Sequence, residues 1–226
     1  VVGAGLAGCA VAAALAARGL AVTVLDRAPG PARATSGNAG GLFHAVVHAQ
    51  DGPHARWLRA GALQMARALR PLLASGRVAG SLDGLLRGER ALSREAMRRL
   101  LDDLALPEDH LQLADWPGPG GGTAWRYLAA GWAAPAGLCA AWLHQPGITT
   151  GFGRAVQRLV RGDAGWQLLD PTDALLAEAD AVVLCNAADA QRLAGDTAAA
   201  WPLGQARGQT TLLPATTDGL PALPQP

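Results

Sequence analysis

The residues best placed to do chemistry come first in the chain: Gly3, Gly5 and Gly8, in Val1-Val2-Gly3-Ala4-Gly5-Leu6-Ala7-Gly8, and Asp26 about twenty residues on. The glycines fit the pattern G-x-G-x-x-G. Gly3 permits a tight strand-to-helix turn, Gly5 lets the backbone approach a pyrophosphate, and Gly8 lets helix and strand pack closely. A carboxylate at position 26 can accept hydrogen bonds from ribose hydroxyls. The chemistry this set supports is binding: an anionic dinucleotide at a helix N-terminus, where free N–H groups and the helix dipole favour negative charge. It supplies no nucleophile, acid or base, and we assign no catalytic residue.

Glycine is common in this chain, 29 of 226 residues, so the pattern alone is weak evidence. Its context strengthens it. A helix is expected over Cys9–Arg18, closed by Gly19, and a strand over Ala21–Leu25 that delivers Asp26. Arg27 could hint at a 2′-phosphate, but Asp26 would repel one, so NAD(P) is not the expected ligand. Val1-Val2 is short for a strand of about five residues, so the chain is expected to be part of a longer protein.

The elements that must position these residues follow in order. Ala34-Thr35-Ser36-Gly37-Asn38-Ala39-Gly40-Gly41 reads as a backbone-exposing loop against a ligand, with Ser36 and Asn38 as hydrogen-bonding groups. The spacing of Leu58, Ala62, Met65, Leu69 and Leu72 predicts a helix over 53–74, with Arg56, Arg59, Arg67 and Arg70 elsewhere on its circumference. That arginine stripe reads as a solvated face rather than an RNA contact. Gly80–Arg87 has strand character, and Ser93 is expected to cap a helix to about Leu104. Residues 106–122 read as irregular, 123–133 as extended, and Pro135 opens a helix to Leu143. Short strands are expected over 148–180, including Ile148–Thr150 and a hairpin of Ala155–Val160 with Trp166–Leu169. The apolar run Ala181–Cys185 reads as a strand buried on both faces of a parallel sheet, ending in Asn186-Ala187-Ala188-Asp189 toward the ligand. A further strand is expected at 210–213, then a Pro-rich tail.

Bulk properties exclude several classes. The net charge is +1 and half the residues are hydrophobic, so nothing draws the whole chain to nucleic acid. No run has the length and purity of a membrane span. All 19 basic residues are arginine, a residue that pairs with phosphate and stacks on bases; we read this as compositional bias. Cys9, Cys139 and Cys185 are far apart and suggest buried thiols in a reducing compartment, the cytoplasm. His44, His48 and His54 cluster without metal-site spacing or a partner set, and no metal is assigned.

Taken together, these motifs resemble the D-amino-acid-oxidase/glycine-oxidase family of FAD-dependent amine oxidases. Within it they are most similar to the tRNA-modifying branch, in which the oxidoreductase is the C-terminal half of a bifunctional enzyme of 5-methylaminomethyl-2-thiouridine biosynthesis. Gly3, Gly5, Gly8 and Asp26 resemble the FAD fingerprint, and Ser36-Gly37-Asn38 with Gly40-Gly41 the branch's SGN loop. Ala130-Gly131-Trp132 with Pro135 resembles its GGW segment, Val183–Ala187 its VVLANG strand end, and Gly208-Gln209 its GQ turn. The likeness runs from Val1 to about Leu213. Ala187 departs from it, standing where the family usually has glycine.

The resemblance implies an α/β fold: a Rossmann-like FAD-binding domain (residues 1–76 and 135–202) with an inserted α+β substrate domain (77–134, resuming at 203–226), cut at both ends. It implies FAD contacts at Gly3, Gly5, Leu6, Ala7, Gly8, Asp26, Arg27, Ser36, Gly37, Asn38, Gly40, Gly41, Val156, Asn186 and Ala187. It also implies a tRNA wobble uridine as substrate, with 5-carboxymethylaminomethyluridine oxidised to the 5-aminomethyl form and glyoxylate, and hydride passing to the flavin. A fused N-terminal methyltransferase and a later arginine for the substrate carboxylate would lie outside this chain. The alternatives are a glycine- or sarcosine-type oxidase of small amino acids, or an inactive dinucleotide-binding fragment.

Overall fold

A computed structural model describes residues 1–117, 120–195, 201–206 and 208–209. In chain order its elements are α1 (Leu6–Ala16), β1 (Val22–Asp26), β2 (Gly41–Phe43), α2 (Pro53–Ala74), β3 (Gly80–Ser81), β4 (Leu85–Glu89), α3 (Arg94–Leu104), β5 (Leu111–Asp115), β6 (Thr123–Tyr127) and β7 (Gly131–Ala133). Then come α4 (Pro135–Leu143), β8 (Ile148–Phe152), β9 (Arg158–Gly162), β10 (Gly165–Leu169), β11 (Leu175–Ala179) and α5 (Ala190–Ala194), with 3₁₀ turns at Thr35–Gly37 and Ala187–Asp189. Two compact units emerge: Val1–Ala39 with the described residues from Pro135 onward, and Gly40–Ala134. The sequence suggested a first division near residue 76; the compact units divide at Ala39/Gly40, because α2 packs with the strands that follow it.

The first unit begins as a parallel sheet. β1 pairs in parallel with β8, Val22 opposite Ile148. On the other side of β1, Val2 forms parallel bridges to both Leu25 and Leu184. Hydrogen bonds from Gly3 N to Leu25 O (2.8 Å) and from Cys185 N to Val2 O (2.8 Å) fix that register. Helices α1 and α4 share one core, in which Ala4, Cys9, Ala12, Val22, Val24 and Cys139 are buried. The small side chains of α1 allow this close approach, and its start at Leu6 rather than Cys9 sets Gly8 in the first turn. A hydrogen bond with Cys139, together with burial, pushes the Cys9 thiol well above its ordinary range, so Cys9 stays protonated, while the same bond lowers Cys139 from its ordinary value. A second core joins Val2 and Leu25 to Val156, Leu168 and Leu193, tying the antiparallel sheet β9–β10–β11 to the parallel one.

Two expectations are corrected here. The 181–185 stretch makes one bridge, at Leu184, and Val182–Cys185 are half-buried rather than enclosed. Among the described residues it is bridged by Val2 alone. The strand expected at Ala155–Val160 forms instead at Arg158–Gly162, pairing with β10 across the predicted turn. Val156 lies before it, as buried loop. The strand expected at 210–213 and the Pro-rich tail lie outside the described residues.

The second unit holds two antiparallel sheets, β2–β7–β3 and β4–β6–β5. Its core gathers Ala62, Leu85, Met97, Leu111, Trp125 and Tyr127. Helix α2 has the predicted bounds, with Pro53 in its first turn and Leu69 fully buried; burying such a side chain contributes about 1.5–3 kcal/mol. Arg59 turns back to the Asp51 carboxylate at 3.0 Å. Ser93 caps α3, accepting from Ala96 N at 3.2 Å. Residues 111–115, read as irregular from their Pro- and Gly-rich surroundings, form β5 because Leu111 and Leu113 pair with Tyr127 and Trp125. Among the described residues no helix is long and apolar enough to cross a membrane, and no group of three metal-ligating side chains converges.

Candidate dinucleotide-binding site

At the carboxyl end of the parallel strands of the first unit lies a cavity of about 940 Å³, within the range of small-molecule sites. Gly3, Gly5, Asp26, Arg27, Ser36, Val156, Asn186 and Ala187 all line it. Eight of the residues implied by the resemblance are thus brought to one cavity by β1, the turn into α1, the Thr35–Gly37 turn and the 184–187 segment.

The local backbone shows why glycine is needed at two of these positions. Gly3 has φ +105°, and a Cβ there would lie 2.6 Å from Cys185 O. A Cβ on Gly8 would collide with Gly3 O. Gly5 has ordinary φ (−80°), and a Cβ on it would lie 3.0 Å from Ser36 Oγ. The close approach at Gly5 is therefore with Ser36.

Asp26 is held in place by backbone. Ala4 N donates to its Oδ2 at 2.6 Å and Ala28 N to its Oδ1 at 2.8 Å. Each carboxylate oxygen keeps a second lone pair for a ligand hydroxyl. Ser36 Oγ accepts from Leu6 N at 3.0 Å, so one free N–H of α1 is met by protein and the Ser36 hydroxyl hydrogen remains for a ligand. The expected loop at 34–41 is thus a 3₁₀ turn at its centre, and Gly41 opens β2 opposite Ala133.

Leu6, Ala7 and Gly8 form the first turn of α1 behind the lining. Gly37 and Asn38 are exposed and do not line the cavity. Gly40 and Gly41 fall in the second unit and do not line it either.

Ala187, where glycine was expected on resemblance, has φ +54°. The left-handed conformation costs a residue with a Cβ about 1–2 kcal/mol, against about 0.5–1 kcal/mol of extra chain entropy for glycine. Ala187→Gly is expected to raise unfolding stability by about 0.5–1 kcal/mol, read by urea denaturation. A loss of stability would show that the strain is relieved by contacts of the alanine methyl.

Sequence reasoning placed Asp189 in the tail facing the ligand but missed Arg192 and the pairing of the two. Arg192 Nε and Nη2 donate to Asp189 Oδ1 and Oδ2, both at 2.9 Å. Its guanidinium holds the Asp189 carboxyl below the usual range. The i, i+3 spacing at residues 189 and 192 was the available signal, but such pairs are common on exposed helices.

The family described as FAD dependent oxidoreductase matches residues 1–226. Among curated proteins, the tRNA 5-methylaminomethyl-2-thiouridine biosynthesis bifunctional protein MnmC of Thiobacillus denitrificans is 43% identical over 225 residues, covering 95% of this chain and 36% of that protein. The protein of the same name from Methylibium petroleiphilum is 40% identical over 241 residues, with 100% and 36% covered. The chain spans little more than a third of the length of these relatives. Among solved structures, glycine oxidase from Geobacillus kaustophilus superposes with a TM-score of 0.63 at 20% identity, covering 85% of this chain and 55% of the other. L-Amino acid deaminase from Proteus myxofaciens gives 0.66 at 15% identity, covering 87% and 46%. At these identities the likeness is one of fold.

Proposed function

This chain belongs to the FAD-dependent oxidoreductase family, and on that premise we propose that it is the flavin-binding part of an oxidoreductase acting on a modified wobble uridine in tRNA. The observation that carries the cofactor is the cavity itself. Gly3 and Gly8 let the strand end and the start of α1 close against each other where a Cβ would clash, Asp26 presents two oriented oxygens, and Asn186 Oδ1 is buried without a donor among the described residues. These features fit FAD. The α1 N-terminus would hold the pyrophosphate, Asp26 the ribose, and Ser36 a hydroxyl donor at the turn.

FAD, when bound, supplies the two-electron oxidation of a CH–NH bond. The chain's own residues anchor and orient it. Asp26 is pinned by two backbone N–H groups, so it meets a ligand without reorganising, and Val2, Leu25 and Val156 form a dry wall beneath the cavity. No side chain of the site is required to move a proton.

The substrate reading rests on the relatives' printed name and their 38–43% identity. On this reading the second unit belongs to the substrate-facing domain, the longer protein carries a further catalytic part, and the enzyme works in the cytoplasm. The reaction is removal of the carboxymethyl group from 5-carboxymethylaminomethyl-(2-thio)uridine. The test is to incubate the flavoprotein with tRNA carrying that base and measure glyoxylate and the 5-aminomethyl nucleoside. Glyoxylate release from tRNA with little turnover of free glycine or sarcosine is the expected result. Efficient oxidation of the free amino acids with tRNA untouched would replace this reading with the small-molecule oxidase.

A further inference from the structure

Part of the cavity wall is built by three side chains whose hydrogen bonds form a chain. Arg192 grips Asp189 with two donors, while its Nη1 donates to Gln157 O (2.5 Å) and its Nη2 also to Val156 O (3.1 Å). Arg192 therefore holds Asp189 while itself anchored to the backbone just before β9. Its Oδ2 also accepts from Asn186 Nδ2 at 3.3 Å. A carboxylate only accepts, so the Asn186 amide must turn its NH₂ toward Asp189. Its oxygen is thereby turned the other way. Asn186 Oδ1 is buried and has no donor among the described residues, and Asn186, Asp189 and Arg192 all line the cavity. A buried acceptor left unpaired is strongly unfavourable, so such groups in native proteins are met by a ligand or water.

We infer that Asn186 Oδ1 is a recognition acceptor that takes an O–H or N–H hydrogen of the bound dinucleotide, and that Asp189, held by Arg192, is the positioning residue that fixes the orientation of the amide. Swapping Asp189 for its amide removes the enforcement, because an amide at that position could donate to Asn186 as well as accept from it. The inference rests on the FAD reading above and assigns residues that the glycine motif does not.

A double-mutant cycle on FAD affinity, read by quenching of flavin fluorescence, tests it. Asn186→Ala is expected to raise the Kd about tenfold, the loss of one hydrogen bond. Asp189→Asn is expected to raise it by a similar factor alone and to add nothing in the Asn186→Ala background. Arg192→Ala frees the Asp189 carboxylate to turn, so it is expected to raise the Kd a few-fold alone and to add nothing in the Asn186→Ala background. Should the alanine variant fail to fold, Asn186→Leu, close in size, takes its place. Unchanged Kd on losing Asn186, or additive effects of the two substitutions, would overturn the inference while leaving FAD binding intact. Failure of the unsubstituted protein to bind FAD would overturn both.

Discussion

Gly8→Ala is expected to abolish FAD binding and to unfold the first unit. The added methyl would run into the carbonyl oxygen of Gly3, and that oxygen cannot retreat. Gly3 sits at φ +105°, its amide bonded to Leu25 O at 2.8 Å, with Cys185 O closing the space on its Cα. The helix cannot retreat either, since Cys9 and Ala12 are fully buried against a core shared with α4. Overpacking against side chains typically costs about 1–3 kcal/mol because they can rotate away. A methyl driven into backbone fixed from both sides belongs with the exceptional cases above about 4 kcal/mol. Against a typical stability of about 5–15 kcal/mol, that removes much or all of the fold. Thermal unfolding of the apoprotein and an FAD titration read the outcome; a variant with unchanged Tm and bound flavin would show that α1 does not approach the strand end so closely.

The second large effect is expected at Asp26. Ala4 is 1% exposed, and its N–H has Asp26 Oδ2 as acceptor, while Ala28 N uses Oδ1. Asp26→Ala leaves both donors unmet, at about 1–3 kcal/mol each where they are buried. The isosteric Asp26→Asn does little better, because its NH₂ must face one of the two N–H groups. Both variants should therefore lose about 2–4 kcal/mol of apoprotein stability and, beyond that, at least about tenfold in FAD affinity from the ribose contact. Urea denaturation without FAD isolates the first effect, and titration at a temperature where the variant is folded isolates the second. Wild-type stability in Asp26→Asn would contradict the anchoring role.

How much of this was legible in the sequence follows from how local each signal is. The bounds of α2 and the Ser93 cap are read from neighbours within a few residues, and the structure places them as expected. β5 was hidden because its pairing with β6 crosses the Gly-rich 116–122 connection. Where the compact units divide depends on which core α2 joins, and that core is assembled from Leu85, Met97 and Tyr127, distant in sequence. Residues 181–185 are apolar enough for a central strand, yet their burial depends on what lies along both edges. Ser36 was read as a ligand contact, but its bond to Leu6 N spans 30 positions that no local pattern links. The Asn186–Asp189–Arg192 chain was invisible for another reason: its meaning lies in an oxygen that has no partner among the described residues.

The most direct test of the account is a titration of the apoprotein with FAD, followed by the flavin absorption band and fluorescence quenching, with NAD and NADP as controls. The account predicts saturable binding of one FAD per chain, lost in Gly8→Ala and weakened in Asp26→Asn, with no competition from the nicotinamide dinucleotides. A folded protein that takes up no FAD, or that binds NADP in its place, would contradict it.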